Sequence, residues 1–222
     1  AFIFGRANSK TIKNKNLTKI NNVTLIEHAI KICKKIKIID NIYVSSDSDE
    51  ILKLAKKNNV NQIQRPAYLC TDNASEFDAW KHAVRYVFKE FGLFQTFVSV
   101  PPTSPLRNVK DIINCINKRK DRIDMVFSIS KSNNNPFYNM VMLSNKKKII
   151  HFNDKKNFIA NKQNYKSTYN ITTVAYAANP KFILNATNIF DGQTSYNIVP
   201  KCRSLDIDDK EDLELARKLL KK

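Results

Sequence analysis

The chain has 222 residues, 42% of them hydrophobic, which suits one large domain with a real core, and it has no apolar run long enough to cross a bilayer. Its formal net charge is +18, carried by 30 lysines against 8 arginines, scattered through every segment beside 27 asparagines. Arginine is the residue suited to base edges and bidentate phosphate contacts, so this balance reads as general composition bias and argues against a nucleic-acid partner. The four cysteines, Cys33, Cys70, Cys115 and Cys202, form no C-x-x-C pair and read as isolated thiols in a reducing cytoplasm. The first residues run straight into a basic polar loop and do not read as a secretory signal.

"AFIF" predicts an opening strand, and "TLIEHAIKICKKI" a helix with Ile26, Ala29, Ile30 and Cys33 on one face. "NIYVSS" is the next strand, followed by a short helix in "DSDEILKLAKKNN" that Asp47 or Ser48 caps. "SEFDAWKHAVRYVFKEFG" is a stronger helix ended by Gly92; "TFVSV" is a strand closed by "PPTSPLR"; "NVKDIINCINKRK" is a helix and "DMVFSI" a strand. This alternation predicts an α/β fold with a mostly parallel sheet and helices on both faces. Residues 131–168 break the order and read as an inserted arm of two or three antiparallel strands. The units expected are therefore 1–130 with 169–222, and 131–168. "TTVAYAA" returns to the sheet, "NPKFILNA" is a short helix and "YNIVP" a short strand. "DKEDLELARKLLKK" closes the chain as a helix, acidic at its start and basic at its end.

Two stretches carry chemistry. The loop "GRANSKTIKNKN" leaves the first strand at the end where ligands sit in open α/β sheets. Arg6, Lys10 and Lys15 can converge on phosphate oxygens there, with backbone N–H groups near Asn8 and Ser9 as directed donors. The loop is not a Walker loop, and a solvated basic loop accounts for the same charges. Far along the chain, "SLDIDD" puts Asp206 and Asp208 on one side of an extended segment and Ile207 on the other. A Mg²⁺ ion accepts such a carboxylate pair together with phosphate. The alternative is a helix cap, a role that suits Asp209 better and leaves the other two free.

Five ordered segments together resemble the acylneuraminate cytidylyltransferase family: "GRANSKTIKNKNL", "IYVSSDSDEI", "RPAYLCTDNAS", "PPTSPLR" and "RSLDIDDKEDLELA". The resemblance implies a Rossmann-like α/β fold whose inserted arm serves dimerisation and completes the neighbour's sugar pocket. It implies that CTP is joined to a 2-keto acid sugar such as a sialic acid-like nonulosonic acid, with release of pyrophosphate. A Kdo-like or amino-substituted acid sugar is the first alternative, and a non-catalytic polyanion-binding protein the last. By resemblance Arg6, Lys10 and Lys15 hold the triphosphate, and Asn16 supports their loop. Asn73, Ala74 and Ser75 lie near cytidine, while Asp206 and Asp208 bind the metal. Proton removal from the attacking hydroxyl is expected to be metal-assisted, with Asp208 or a water as acceptor. The partners implied are CTP, an acidic sugar and a second copy of the chain, with no membrane. Three positions depart from the family pattern. Pro101 replaces a common Gln, Glu76 a common Ser, and "NITT" at 170–173 an Arg-x-Asn-Gly whose arginine suits the sugar carboxylate; Lys162 or Lys166 are candidates to replace it.

Overall fold

The computed structural model describes residues 1–9, 11–71, 73–120, 122–152 and 166–221. β1 (Phe2–Phe4) is followed by a small hairpin of β2 (Lys19–Ile20) and β3 (Val23–Thr24), then α1 (Leu25–Lys34), β4 (Tyr43–Ser46), α2 (Asp49–Lys57) and β5 (Asn61–Gln64). Next come α3 (Glu76–Phe91), β6 (Phe97–Ser99), α4 (Val109–Lys118) and β7 (Met125–Lys131). A second hairpin, β8 (Val141–Leu143) with β9 (Ile149–His151), precedes β10 (Tyr169–Ala178), α5 (Pro180–Asn185), β11 (Thr194–Ile198) and α6 (Lys210–Leu220). No helix among the described residues is long and apolar enough to cross a membrane.

Local chemistry sets the helix boundaries. Thr24 caps α1 and exchanges hydrogen bonds with Glu27; Asn108 and Asp111 do the same for α4, and Asp209 and Asp212 for α6. Ser48, rather than Asp47, caps α2 by accepting from the Ile51 N–H. Gly92 ends α3 at φ +87°, a conformation that a side chain would strain. The sequence pattern passed over two pieces. β5 has a single buried apolar residue, Ile63, among polar neighbours, and the β2–β3 hairpin is too short for periodicity to register.

Seven strands form the main sheet in the order β11-β7-β10-β6-β1-β4-β5. All run the same way except β10, which is antiparallel to both β6 and β7. Side-chain alternation splits the core into two layers. Phe2, Tyr43, Phe97 and Met125 pack with Phe77, Trp80 and Val84 of α3 on one face. Ile3, Val44, Val98 and Val126 meet Ile26, Ile30, Ile51 and Ile112 of α1, α2 and α4 on the other. Each such side chain contributes about 1.5–3 kcal/mol on burial, so these runs decide which way every strand faces. The chain runs outward from β1 through β4 to β5, then crosses back over α3 to β6 on the far side of β1. That reversal opens a crevice beyond the C-terminal ends of β1 and β6.

Candidate active site

A cavity of about 410 Å³ occupies this crevice. The loop after β1 forms one wall, and its shape is set by close packing. Gly5 lies so near the side chains of Ile26 and Ile51 that a Cβ there would come within 2.9 Å of the first and 3.3 Å of the second. The Ala7 N–H donates to Asp47 Oδ1 at 2.8 Å, so Asp47 holds the loop instead of capping a helix. Asn16 is buried and its Nδ2 donates to the Arg6 carbonyl at 3.1 Å, bracing the turn. Arg6, Ser9, Lys15 and Asn16 all line the cavity. Asn8 is exposed and is not part of that lining, and Lys10 lies outside the described residues.

The acidic turn is brought against this loop. Ile207 is fully buried in a small cluster with Ile12, Ile20, Leu25, Leu213 and Ala216, which joins the first loop to the last helix. Its N–H donates to the Thr103 carbonyl at 2.9 Å. Lys15 Nζ donates to the Ile207 carbonyl at 2.7 Å and lies 3.3 Å from Asp208 Oδ1, and Thr11 Oγ1 donates to the Asp208 carbonyl. With Ile207 turned inward, Asp206 and Asp208 both line the cavity. Asp208 is open, its side chain 75% exposed, whereas Asp206 Oδ1 is buried with no hydrogen-bond partner. Asp209 caps α6, leaving the other two carboxylates to the cleft.

The opposite wall joins Arg65, to which the sequence assigned no role, with the expected segment at 74–76. Arg65, at the end of β5, is 6% exposed; its Nε donates to Ser45 Oγ at 3.2 Å and a terminal nitrogen to the Ser45 carbonyl at 2.6 Å. The guanidinium also lies 5.6 Å from the Phe4 ring centroid, and burial lowers its pKa. Charge buried beside an aromatic ring has no period in sequence, so Arg65 stood in the quoted "RPAYLCTDNAS" segment without an assigned role. Ala74, Ser75 and Glu76 line the same wall, while Asn73 is exposed and outside the lining. Ser75 caps α3 through the Phe77 N–H, which commits its hydroxyl. Glu76 lines the cavity and keeps a solvent-exposed surface. The protein packed around its carboxyl displaces part of the surrounding water and raises its pKa; Arg65 acts against that rise and Asp206 with it.

The roof is "PPTSPLR". Pro101, Pro102 and Thr103 line the cavity. Buried Arg107 sits behind them and donates to the carbonyls of Pro101 and Thr173, so it braces the turn instead of reaching a ligand. In "NITT", Thr172 Oγ1 donates to the Ser128 carbonyl and Thr173 Oγ1 lies 2.7 Å from Ser104 Oγ, so both threonine side chains are tied to neighbouring protein. Lys166 is exposed and does not line the cavity; Lys162 lies outside the described residues. Among the described residues no group of three or more His, Cys, Asp or Glu side chains is arranged to hold a metal ion.

The family described as cytidylyltransferase matches residues 1–222. The chain belongs to this family. The chain is 27% identical over 218 residues to the N-acylneuraminate cytidylyltransferase of Escherichia coli O18:K1:H7, covering 97% of this chain and 50% of that protein. It is 26% identical over 222 residues to the post-translational flagellin modification protein B of Campylobacter coli, covering 99% and 93%. A solved CMP:2-keto-3-deoxy-manno-octonic acid synthetase structure, complexed with CTP, superposes with a TM-score of 0.73 at 12% identity, covering 99% of this chain and 97% of that one. At that identity the likeness supports the fold alone: a mixed, mostly parallel α/β sheet with small antiparallel excursions.

Proposed function

We propose that this chain joins CMP from CTP to the hydroxyl of an acidic 2-keto sugar of the nonulosonic, sialic acid-like class, releasing pyrophosphate. One observation carries the reading: Lys15 from the first loop meets the Ile207–Asp208 segment, with Arg6, Ser9 and Asp206 on the same cavity wall. Cationic and acidic groups so arranged suit a triphosphate and the ion that accompanies it. The nonulosonic acceptor is supported by the names of two relatives matched along nearly the whole chain, an N-acylneuraminate cytidylyltransferase and a CMP-N,N'-diacetyllegionaminic acid synthase.

In this reading Arg6, Lys15 and the N–H groups around Asn8 and Ser9 hold the triphosphate, with Lys10 of the same loop beside them. Asn73, Ala74 and Ser75 lie along the cytidine, and Asn16 keeps the loop in shape. Asp206 and Asp208 hold a Mg²⁺. The unpartnered Asp206 Oδ1 and the all-oxygen donor pair suit that ion, with phosphate completing its shell. When bound, the ion offsets charge on the phosphate oxygens. The protein aligns the sugar hydroxyl with the α-phosphorus, and Arg6 and Lys15 steady the departing pyrophosphate. The working form is a homodimer. Leu143 and Ile149, paired on the β8–β9 hairpin, are 70% and 66% exposed, an apolar surface suited to a second copy. A cytoplasmic setting agrees with the use of CTP and with the four free cysteines.

The test is pyrophosphate release by the purified protein from CTP and Mg²⁺, with a panel of 2-keto sugar acids. Turnover is expected with at least one nonulosonic acid and is expected to stop on chelation. Release with the eight-carbon acid alone would move the acceptor class; no release with any acid, together with no CTP binding, would overturn the reading.

A further inference from the structure

The backbone pairing of β1 with β4 stops at a point where a side chain takes over. Phe2, Ile3 and Phe4 lie opposite Tyr43, Val44 and Ser45, and the Gly5 N–H donates to the Ser45 carbonyl at 3.1 Å. In a parallel ladder the next N–H on that edge, from Ala7, would meet the backbone carbonyl of Asp47. It donates instead to the Asp47 side chain, at Oδ1, over 2.8 Å.

The same peptide unit is held at its other end. The Arg6 carbonyl and the Ala7 N–H belong to one planar group. Asn16 Nδ2 donates to that carbonyl at 3.1 Å while Asp47 accepts from the N–H. Turning the peptide plane over would break both bonds. The backbone around Asp47 is fixed by neighbours that do not need its side chain. The Ser48 N–H donates to Ser46 Oγ at 3.0 Å, and Ser48 caps α2. The Asp47 carboxylate also faces the Cys70 thiol and the buried Arg65 guanidinium, whose attraction offsets its negative charge at the root of a cationic loop.

We propose that Asp47 is a positioning residue for the phosphate-binding loop. With Asn16 it clamps the Arg6–Ala7 peptide at both ends, and so fixes how the Arg6 side chain and the N–H groups of Asn8 and Ser9 are presented. The proposal rests on the reading that this loop holds the triphosphate. Donors fixed before the ligand arrives need no ordering when it binds. The clamp requires an acceptor oxygen at this place and does not require a charge.

Asp47→Ala and Asp47→Asn separate those two properties, since asparagine keeps the Oδ1 acceptor and gives up the charge. In calorimetric titrations Asp47→Ala should weaken CTP at least ~10-fold and cytidine by no more than about twofold, with Asp47→Asn within about threefold of wild type for both. Amide exchange at Ala7 in the ligand-free protein reads the clamp directly. Protection should fall at least ~10-fold in Asp47→Ala and persist in Asp47→Asn. Equal losses for CTP and cytidine, an asparagine variant as weak as the alanine variant, or an Ala7 amide that exchanges freely in wild type would each overturn the clamp. Failure of wild type to bind CTP would overturn the function itself, whereas CTP binding that Asp47→Ala leaves unchanged would overturn only the role given to Asp47.

Discussion

Lys15 shows how one side chain carries both structure and chemistry. Its ammonium donates to a backbone carbonyl 192 residues away and lies beside the open Asp208 carboxylate, so it joins the two halves of the cleft before any ligand arrives. Lys15→Met keeps the apolar stem and removes the charge. A hydrogen bond from a charged group contributes about 1.5–3 kcal/mol, so a fall in Tm of several degrees is expected, together with a rise of about tenfold in the KM for CTP. Thermal melts and steady-state kinetics separate the two effects; a lowered Tm with unchanged KM would leave Lys15 a purely structural residue. Glu76 gives the opposite case, a carboxyl on an exposed residue whose pKa is raised by the protein packed around it. A raised folded value means that the native state holds this proton more tightly than the unfolded chain. The resulting stability is complete below the unfolded carboxyl's pKa and is lost as pH rises through the folded value. Glu76→Gln cannot lose that proton. Its Tm should therefore gain on wild type as pH is raised from about 5 to about 8, and parallel melting curves across that range would refute the assignment.

At the scale of elements, the acidic turn is positioned by parts that never touch the cleft. Arg203, in a 3₁₀ turn at Lys201–Arg203, makes two bonds of 2.8 Å to the buried Asp111 carboxylate in the first turn of α4. The Asn197 side chain donates to the Asp111 carbonyl, tying β11 to the same point. The segment then runs through Ser204 and Leu205 to the buried anchor Ile207, with Asp206 presented between. Arg203→Ala leaves Asp111 buried without its counter-charge and is expected to cost about 3 kcal/mol in urea unfolding. Because Asp206 lies three residues on, the Mg²⁺ concentration for half-maximal activity should rise in the same variant. The conservative Arg203→Lys should recover only part of the stability, since a single ammonium cannot reproduce the two-pronged contact.

At the scale of the whole molecule, the exposed hairpin is the feature a monomer does not explain. Val141, Leu143 and Ile149 present apolar surface on β8 and β9, and Tyr169 and Ile171 are also exposed on β10. Burying this patch against a second copy is favourable at roughly 25 cal/mol per Å². Leu143→Asp with Ile149→Asp should therefore convert a dimer to monomers in light-scattering chromatography while the main-sheet melting transition persists. A wild type already monomeric at micromolar concentration would remove the basis for this assembly.

Most of the fold was legible in the chain's periodicity. The alternating "AFIF", "NIYVSS" and "TFVSV" runs and the apolar faces of α1, α3, α4 and α6 have spacings that only strands and helices of those lengths can bury. The "SLDIDD" alternation likewise turned Ile207 inward, and Asp209 was recognisable as a cap, because both effects act within a few residues. Local chemistry could not reveal the polar β5, the burial of Arg65 against Phe4, or the withdrawal of Arg107 behind its own loop. Nor could it reveal that Asp47 would hold the Ala7 N–H rather than cap α2. Each of these depends on which distant groups compete for the same donor, acceptor or patch of apolar surface. Only the assembled fold, which sets the loop after β1 against the segment that leads into α6, settled those competitions.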